Sequence, residues 1–118
     1  MMEKLALLVE DSIEHFANEN KGSLPQNIIM YRDGVSEGQV QNVLKTEVSQ
    51  IKVGFNNIKE KLKMESYSPK FAEFIVTKKI SDRFFYKNDQ NKFENPSSGM
   101  VVADDIVSKD QFDFYLVA

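Results

Sequence analysis

Few residues of this chain combine the right type with the right neighbours for chemistry, and Asp33 is the first of them. It stands in the stretch MYRDGVSEGQ, residues 30–39, after the apolar Ile28-Ile29 and before a long helix-like pattern. In a parallel α/β sheet, sites form outside the carboxyl ends of the strands. Asp33 occupies such an end, ahead of a glycine and a helix start. Three tasks are open to a carboxylate there. It can satisfy backbone amides at the turn or at the helix N-terminus, which is purely structural. It can ligate Mg²⁺, a hard cation that prefers oxygen donors, in phosphodiester hydrolysis by two metal ions roughly 3.5–4 Å apart. It can also accept a phosphoryl group, as in a receiver-like signalling domain. That last site needs an acidic pair on a first strand and a late lysine, whereas this chain opens on a helix.

Two-metal chemistry requires several carboxylates on one spot, and Asp33 supplies only one. Glu37 lies one helical turn further on, where a glutamate also complements the helix dipole. The single His15 cannot build a histidine metal cluster and reads as a surface or helix-capping residue. Cysteine is absent. That excludes a disulfide framework and a thiolate zinc site, and it fits an intracellular protein, cytoplasmic or nuclear.

The elements that must position these groups follow from patterning. With 118 residues, 42% hydrophobic and 28% charged, the chain is one domain of ordinary globular composition. A net charge of −3 does not advertise nucleic-acid binding, so any basic patch is local. No apolar run approaches the ~20 residues of a membrane span, and the N-terminus lacks the pattern of a signal peptide.

Leu5, Leu8, Val9, Ile13 and Phe16 predict an amphipathic helix, stopped by Asn20-Lys21-Gly22. Ile28 to Tyr31 reads as a short strand buried on both faces. Ser36 is the expected N-cap of a second helix. Its stripe runs Val40, Val43, Leu44, Val48, Ile51, Phe55, Ile58 and Leu62, and it ends near Met64. Lys59, Lys61 and Lys63 form its solvated face. Tyr67-Ser68-Pro69 is a turn into a strand at Phe71 to Val76. Phe84-Phe85-Tyr86 begins a hairpin closed by residues 87–92, and residues 95–99 are a loop. Met100 to Val102 and Phe112 to Val117 read as strands, joined through Ala103-Asp104-Asp105 and a turn at residues 108–110. Phe112, Phe114 and Tyr115 are expected in the core. This order implies an α/β layer structure with at least one parallel βαβ crossover. A chain that opens on a helix and stops on an apolar strand reads as a fragment.

Four segments, in order, carry a family resemblance. Ile28 to Gln39 resembles the II-x-YRDGVSEGQ signature of the Piwi domain of Argonaute and Piwi proteins. Phe74 to Lys79, followed by Arg83-Phe84-Phe85, is similar to the family's IVV-x-KR strand and x-TRFF continuation. Asn95-Pro96 with Gly99 to Val102 is similar to its NxPPGTVVD loop and strand. Phe112 to Val117 resembles its EFDFYLVS strand. One YRDG alone is a weak signal; four collinear motifs spanning the chain are specific.

The resemblance implies an RNase H-like fold, a mixed sheet with flanking helices, incomplete over residues 1–118 because an N-terminal strand and the C-terminal part of the domain are missing. It implies a guide small RNA and its target RNA as partners, along with the remainder of the Argonaute/Piwi chain and no membrane. In active members the target is cut with two divalent cations, Mg²⁺ or Mn²⁺. Asp33 then takes the place of a catalytic metal ligand, and Gly34 lets the backbone turn away beside it. Lys78, Lys79 and Arg83 fall where the family sets cations against guide phosphates, which neutralises the backbone without reading sequence. Their bland alternative is ordinary surface charge.

The chain also departs from the pattern. Ile80 and Ser81 stand where other members carry more polar or basic residues, Asp82 puts a negative charge among the cations, and Ala103 replaces an aspartate. Glu3 falls near the family's mobile glutamate, with a solvated helix start as the alternative. The family's first aspartate lies upstream of Met1 and its last ligand beyond Ala118. The expectation is therefore that this chain alone neither cleaves nor holds the metals tightly. The alternative function is a non-catalytic binding module or a decayed, truncated copy.

Overall fold

The computed structural model describes residues 2–78, 80–104, 107 and 112–118, with the side chains of residues 2, 3 and 37 outside the description. The chain divides into two units, Met1–Lys79 and Ile80–Ala118.

In the first unit, helix α1 (Met2–Glu19) precedes strand β1 (Asn27–Asp33), and a short 3-10 turn (Glu37–Gln39) leads into helix α2 (Val40–Lys61) and strand β2 (Lys70–Val76). β1 and β2 pair in parallel, from Asn27 opposite Lys70 to Asp33 opposite Val76, with α2 as the crossover. This is the expected βαβ unit.

α1 ends as its residues dictate. The Gly22 N–H donates to the Ala17 carbonyl at 2.7 Å, closing the last turn. Lys21 (φ +56°) and Gly22 (φ +84°) both take the left-handed conformation, so the stop uses a lysine as well as the glycine.

The core gathers Ile13 of α1 with Ile51, Phe55 and Ile58 of α2, and Ile28, Met30 and Phe71 of the strands pack against it. Phe71 meets Phe55 edge to face at 5.8 Å. Tyr67 is half-buried and its hydroxyl donates to the Pro25 carbonyl at 2.9 Å.

Three expectations are corrected here. β1 is not buried on both faces: its exposure alternates, with Ile29 at 57% and Tyr31 at 71%. The helices cover only the side bearing Ile28 and Met30; on the other side Tyr31 stacks on Phe74 at 5.6 Å. On α1, Leu8 and Phe16 are exposed, whereas Ala6 and Ala17 are buried. The reason is the close approach of α2. A Cβ on Gly54 would lie 3.0 Å from the Ala6 carbonyl oxygen and 3.1 Å from Val9 Cβ, so small residues form the seam. Ser36 is not the N-cap of α2. Its carbonyl accepts the Gln39 N–H at 2.9 Å within the 3-10 turn, and Gln39 caps α2 without a side-chain bond. On the lysine face, Lys61 pairs with Glu14 of α1.

The second unit is built from short antiparallel pairs. β3 (Tyr86–Lys87) pairs with β4 (Phe93–Glu94), and β5 (Val101–Val102) with β6 (Tyr115–Leu116). The expected hairpin is present, and Asn88 closes it: its Oδ1 accepts the N–H groups of Gln90 at 3.0 Å and Lys92 at 2.9 Å. Phe112 is not a core residue. It is 91% exposed, outside the two-residue β6, while Phe114 and Tyr115 are half-buried. Asp105 and the turn expected at residues 108–110 lie outside the described residues. Among the described residues the strands thus form three two-stranded sheets, one parallel and two antiparallel. No described helix is long and apolar enough to cross a membrane.

Candidate functional site

The carboxyl ends of β1 and β2 lie side by side because the parallel register sets Asp33 opposite Val76. Each strand then releases one polar group at the same end, Asp33 from β1 and Lys78 two residues past β2. Gly34, at φ +77°, turns the backbone away with nothing within 4 Å of where a Cβ would sit. That conformation brings its own N–H back onto Asp33 Oδ1 at 2.8 Å. Asp33 Oδ2 pairs with Lys78 Nζ at 2.7 Å, and both side chains are largely exposed, 53% and 73%.

The electrostatics follow from these contacts. The hydrogen bond from Lys78, then the Gly34 amide, hold the Asp33 carboxyl below its ordinary value. Asp33 in turn raises the Lys78 ammonium. The carboxylate is therefore ionised, turned to solvent, and able to hold a cation.

A second group of charges lies on the helix-facing side of the same strands. Arg32 Nε donates to Glu47 Oε1 of α2 at 2.8 Å, and Arg32 Nη1 donates to the Asp33 carbonyl at 2.5 Å. The bond to Glu47 raises the Arg32 guanidinium further. Glu73 of β2 joins them, and burial pushes its carboxyl up to about 7, with help from the neighbouring Glu47 carboxyl.

Of the residues singled out from the sequence, the structure brings Asp33 and Lys78 together. Arg83 belongs to the second unit. Its guanidinium stands over the Phe85 ring, 6.0 Å from the centroid, and it lines an open groove of about 370 Å³ with Asp82, Asn95 and Tyr115. Lys79 lies outside the described residues. Glu3 belongs to α1 by its backbone, and its side chain is outside the description. His15 is exposed on α1, as expected. Sequence reasoning missed the grouping of Arg32, Glu47 and Glu73. A signal was available: Glu73 interrupts the apolar run from Phe71 to Val76, at the position that pairs with the helix-facing Met30.

Comparison with known proteins decides the family. The Piwi domain family model matches residues 1–118. The chain belongs to the Piwi domain family. It is 32% identical over 118 residues to the Piwi-like protein Ago3 of Bombyx mori, covering 100% of this chain and 12% of that one. It is 38% identical over 96 residues to Piwi-like protein 1 of Danio rerio, covering 81% and 10%. It is also 38% identical over 96 residues to the protein argonaute of Schizosaccharomyces pombe, covering 80% and 11%. Among solved structures, the C-terminal lobe of a budding yeast Argonaute matches with a TM-score of 0.76 at 28% identity, over 94% of this chain and 24% of that one. This likeness upholds the α/β, RNase H-like fold expected from the Piwi motifs. The Piwi chain spans about a tenth of the length of these curated relatives.

Proposed function

We propose that this Piwi chain is part of a small-RNA-guided silencing protein and contributes a nucleic-acid backbone grip. On this reading residues 1–118 are a portion of a larger Piwi domain. Lys78 and Arg83, with Lys79 beside Lys78 in sequence, contact guide-strand phosphates, and Asp33 is the one metal-ligating carboxylate the chain supplies. The observation that carries the reading is the exposed Asp33 at a parallel strand end, already holding the Lys78 ammonium at 2.7 Å.

The donor set limits what the chain does by itself. Mg²⁺ and Mn²⁺ require several oxygen ligands, and among the described residues no three His, Cys, Asp or Glu side chains gather. One carboxylate does not fit a pair of divalent ions. Target cleavage is accordingly assigned to the longer protein, and binding to this chain.

Lys78 serves both roles by exchange. An exposed ion pair contributes little stability, so a phosphate oxygen can take the ammonium from Asp33 at small cost. Each phosphate neutralised also releases condensed counterions. The test is binding of a labelled single-stranded RNA across a salt series. Each phosphate contact contributes roughly 0.7 to the slope of log affinity against log salt. Lys78→Ala and Arg83→Ala are each expected to lower the slope by that amount, and Asp33→Asn, which frees Lys78, to tighten binding. Unchanged slopes in both cation variants would refute the grip.

A further inference from the structure

Beneath the strand end that carries Asp33, three elements each send one charged side chain to the same place. Arg32 comes from β1, Glu47 from α2 and Glu73 from β2. Arg32 spans the group, donating through Nε to Glu47 Oε1 at 2.8 Å and through Nη1 to the Asp33 carbonyl at 2.5 Å. The parallel register sets Glu73 opposite Met30, two residues before Arg32 on the same face. Glu47 is well covered, its side chain 18% exposed.

The donor count does not close. Both oxygens of Glu73, and Oε2 of Glu47, are shielded from solvent and meet no N–H or O–H donor. A shielded acceptor without a donor is costly, and a shielded unpaired charge more so. With both carboxyls ionised, the group carries two negative charges against one guanidinium. A single proton between Glu73 and Glu47 removes the excess charge and supplies one O–H donor, which satisfies two of the three oxygens, the one that carries it and the one that accepts it.

We propose that Arg32, Glu47 and Glu73 form a proton-holding clamp that positions Asp33. With the proton in place, Glu47 and Glu73 bond to each other and one guanidinium suffices, so Nη1 stays on the Asp33 carbonyl. When the proton leaves, the second carboxylate competes for Arg32 and draws Nη1 from the strand end. These three are positioning residues. Their consequence for function rests on the reading of Asp33 given above, whereas the clamp itself does not.

The electrostatics agree with the geometry. The charged groups acting on Glu73 are Glu47 from α2, which favours its neutral form, and Arg32 from β1, which opposes this more weakly; burial is the largest influence. Its folded value of about 7 lies above the ordinary 4.5. The folded chain therefore binds more protons than the unfolded chain between those values, and stability must fall as pH rises through that window.

The test uses the 118-residue chain in a His15→Asn background, which removes its one imidazole. Amide spectra are recorded from acidic to alkaline pH alongside urea unfolding. The Gly34 amide reports on Asp33 directly because it donates to Oδ1. The clamp requires that this resonance move with a midpoint near 7 and that stability decline between pH 4.5 and about 7 and level off above. Glu73→Gln, whose amide supplies the donor without a titrating proton, should abolish both changes and hold Gly34 at its low-pH position. If that variant does not fold, the carboxyl carbon signal of Glu73 in the parent chain must share the Gly34 midpoint. A Gly34 resonance that moves only with the acidic titration of Asp33, a neutral transition that survives Glu73→Gln, or a Glu73 midpoint distinct from that of Gly34 would each overturn the proposal. RNA enters neither readout, so the clamp and the phosphate grip fail or stand separately.

Discussion

Gly54 is where two opposing energies meet. Replacing an interior helix glycine by alanine favours the helix by about 1 kcal/mol through propensity alone. Here the added methyl would lie 3.0 Å from the Ala6 carbonyl oxygen and 3.1 Å from both Cβ and Cγ1 of Val9. Carbon pairs are at ease at roughly 3.5–4.0 Å, so every one of these contacts is compressed. The Val9 methyl can rotate aside. The Ala6 oxygen is backbone and cannot move unless α1 moves with it. Overpacking of this kind costs about 1–3 kcal/mol, which outweighs the propensity gain. Gly54→Ala is therefore expected to lose about 1 kcal/mol net, read as a lower urea midpoint with unchanged slope. Adding Val9→Ala should remove the Cγ1 clash and leave those with the Ala6 oxygen and the Cβ at position 9, so the double variant should not regain the propensity benefit. A Gly54→Ala chain more stable than the parent by about 1 kcal/mol, the full propensity value, would show that the seam is loose and this reasoning wrong.

Two further substitutions probe the same unit. Ile58 is fully buried (0% exposed), so Ile58→Ala should cost about 2–5 kcal/mol in urea unfolding, and a loss under 1 kcal/mol would mean the site collapses around the deletion. Tyr67→Phe leaves the Pro25 carbonyl without its 2.9 Å donor and should cost about 0.5–1.5 kcal/mol; no loss would show that water replaces the hydroxyl.

The strongest sequence signals were periodic ones. The stripe of α2 gave its buried centre, Ile51, Phe55 and Ile58, because a three- and four-residue spacing lasting about six turns has one reading. Asp33 was legible as a strand-end carboxylate from the apolar run before it and the glycine after it. The failures share a cause, which is that hydrophobicity does not say how near a neighbour comes. Leu8 and Phe16 look like core residues, but they are exposed, while Ala6 and Val9 meet α2 at Gly54 and Ala17 is buried further along α1. The apolar β1 run suggested cover on both sides, yet helices pack against one. Ser36 had a capping side chain, but the chain spends three residues in a tighter turn before α2 begins. Lys78 could be read as cationic without any hint that Asp33 would hold it, since that contact depends on strand register.

The pairing of β1 with β2 joins residues 43 positions apart, as Asn27 with Lys70. Closing a loop of that length costs entropy, which the packing of α2 against both strands offsets. The meeting of Asp33 with Lys78 therefore depends on the docking of α2 as well as on strand register. Slow amide exchange in both strands should vanish together when α2 is loosened, whereas the Asn88 hairpin, built from near neighbours, should keep its own protection.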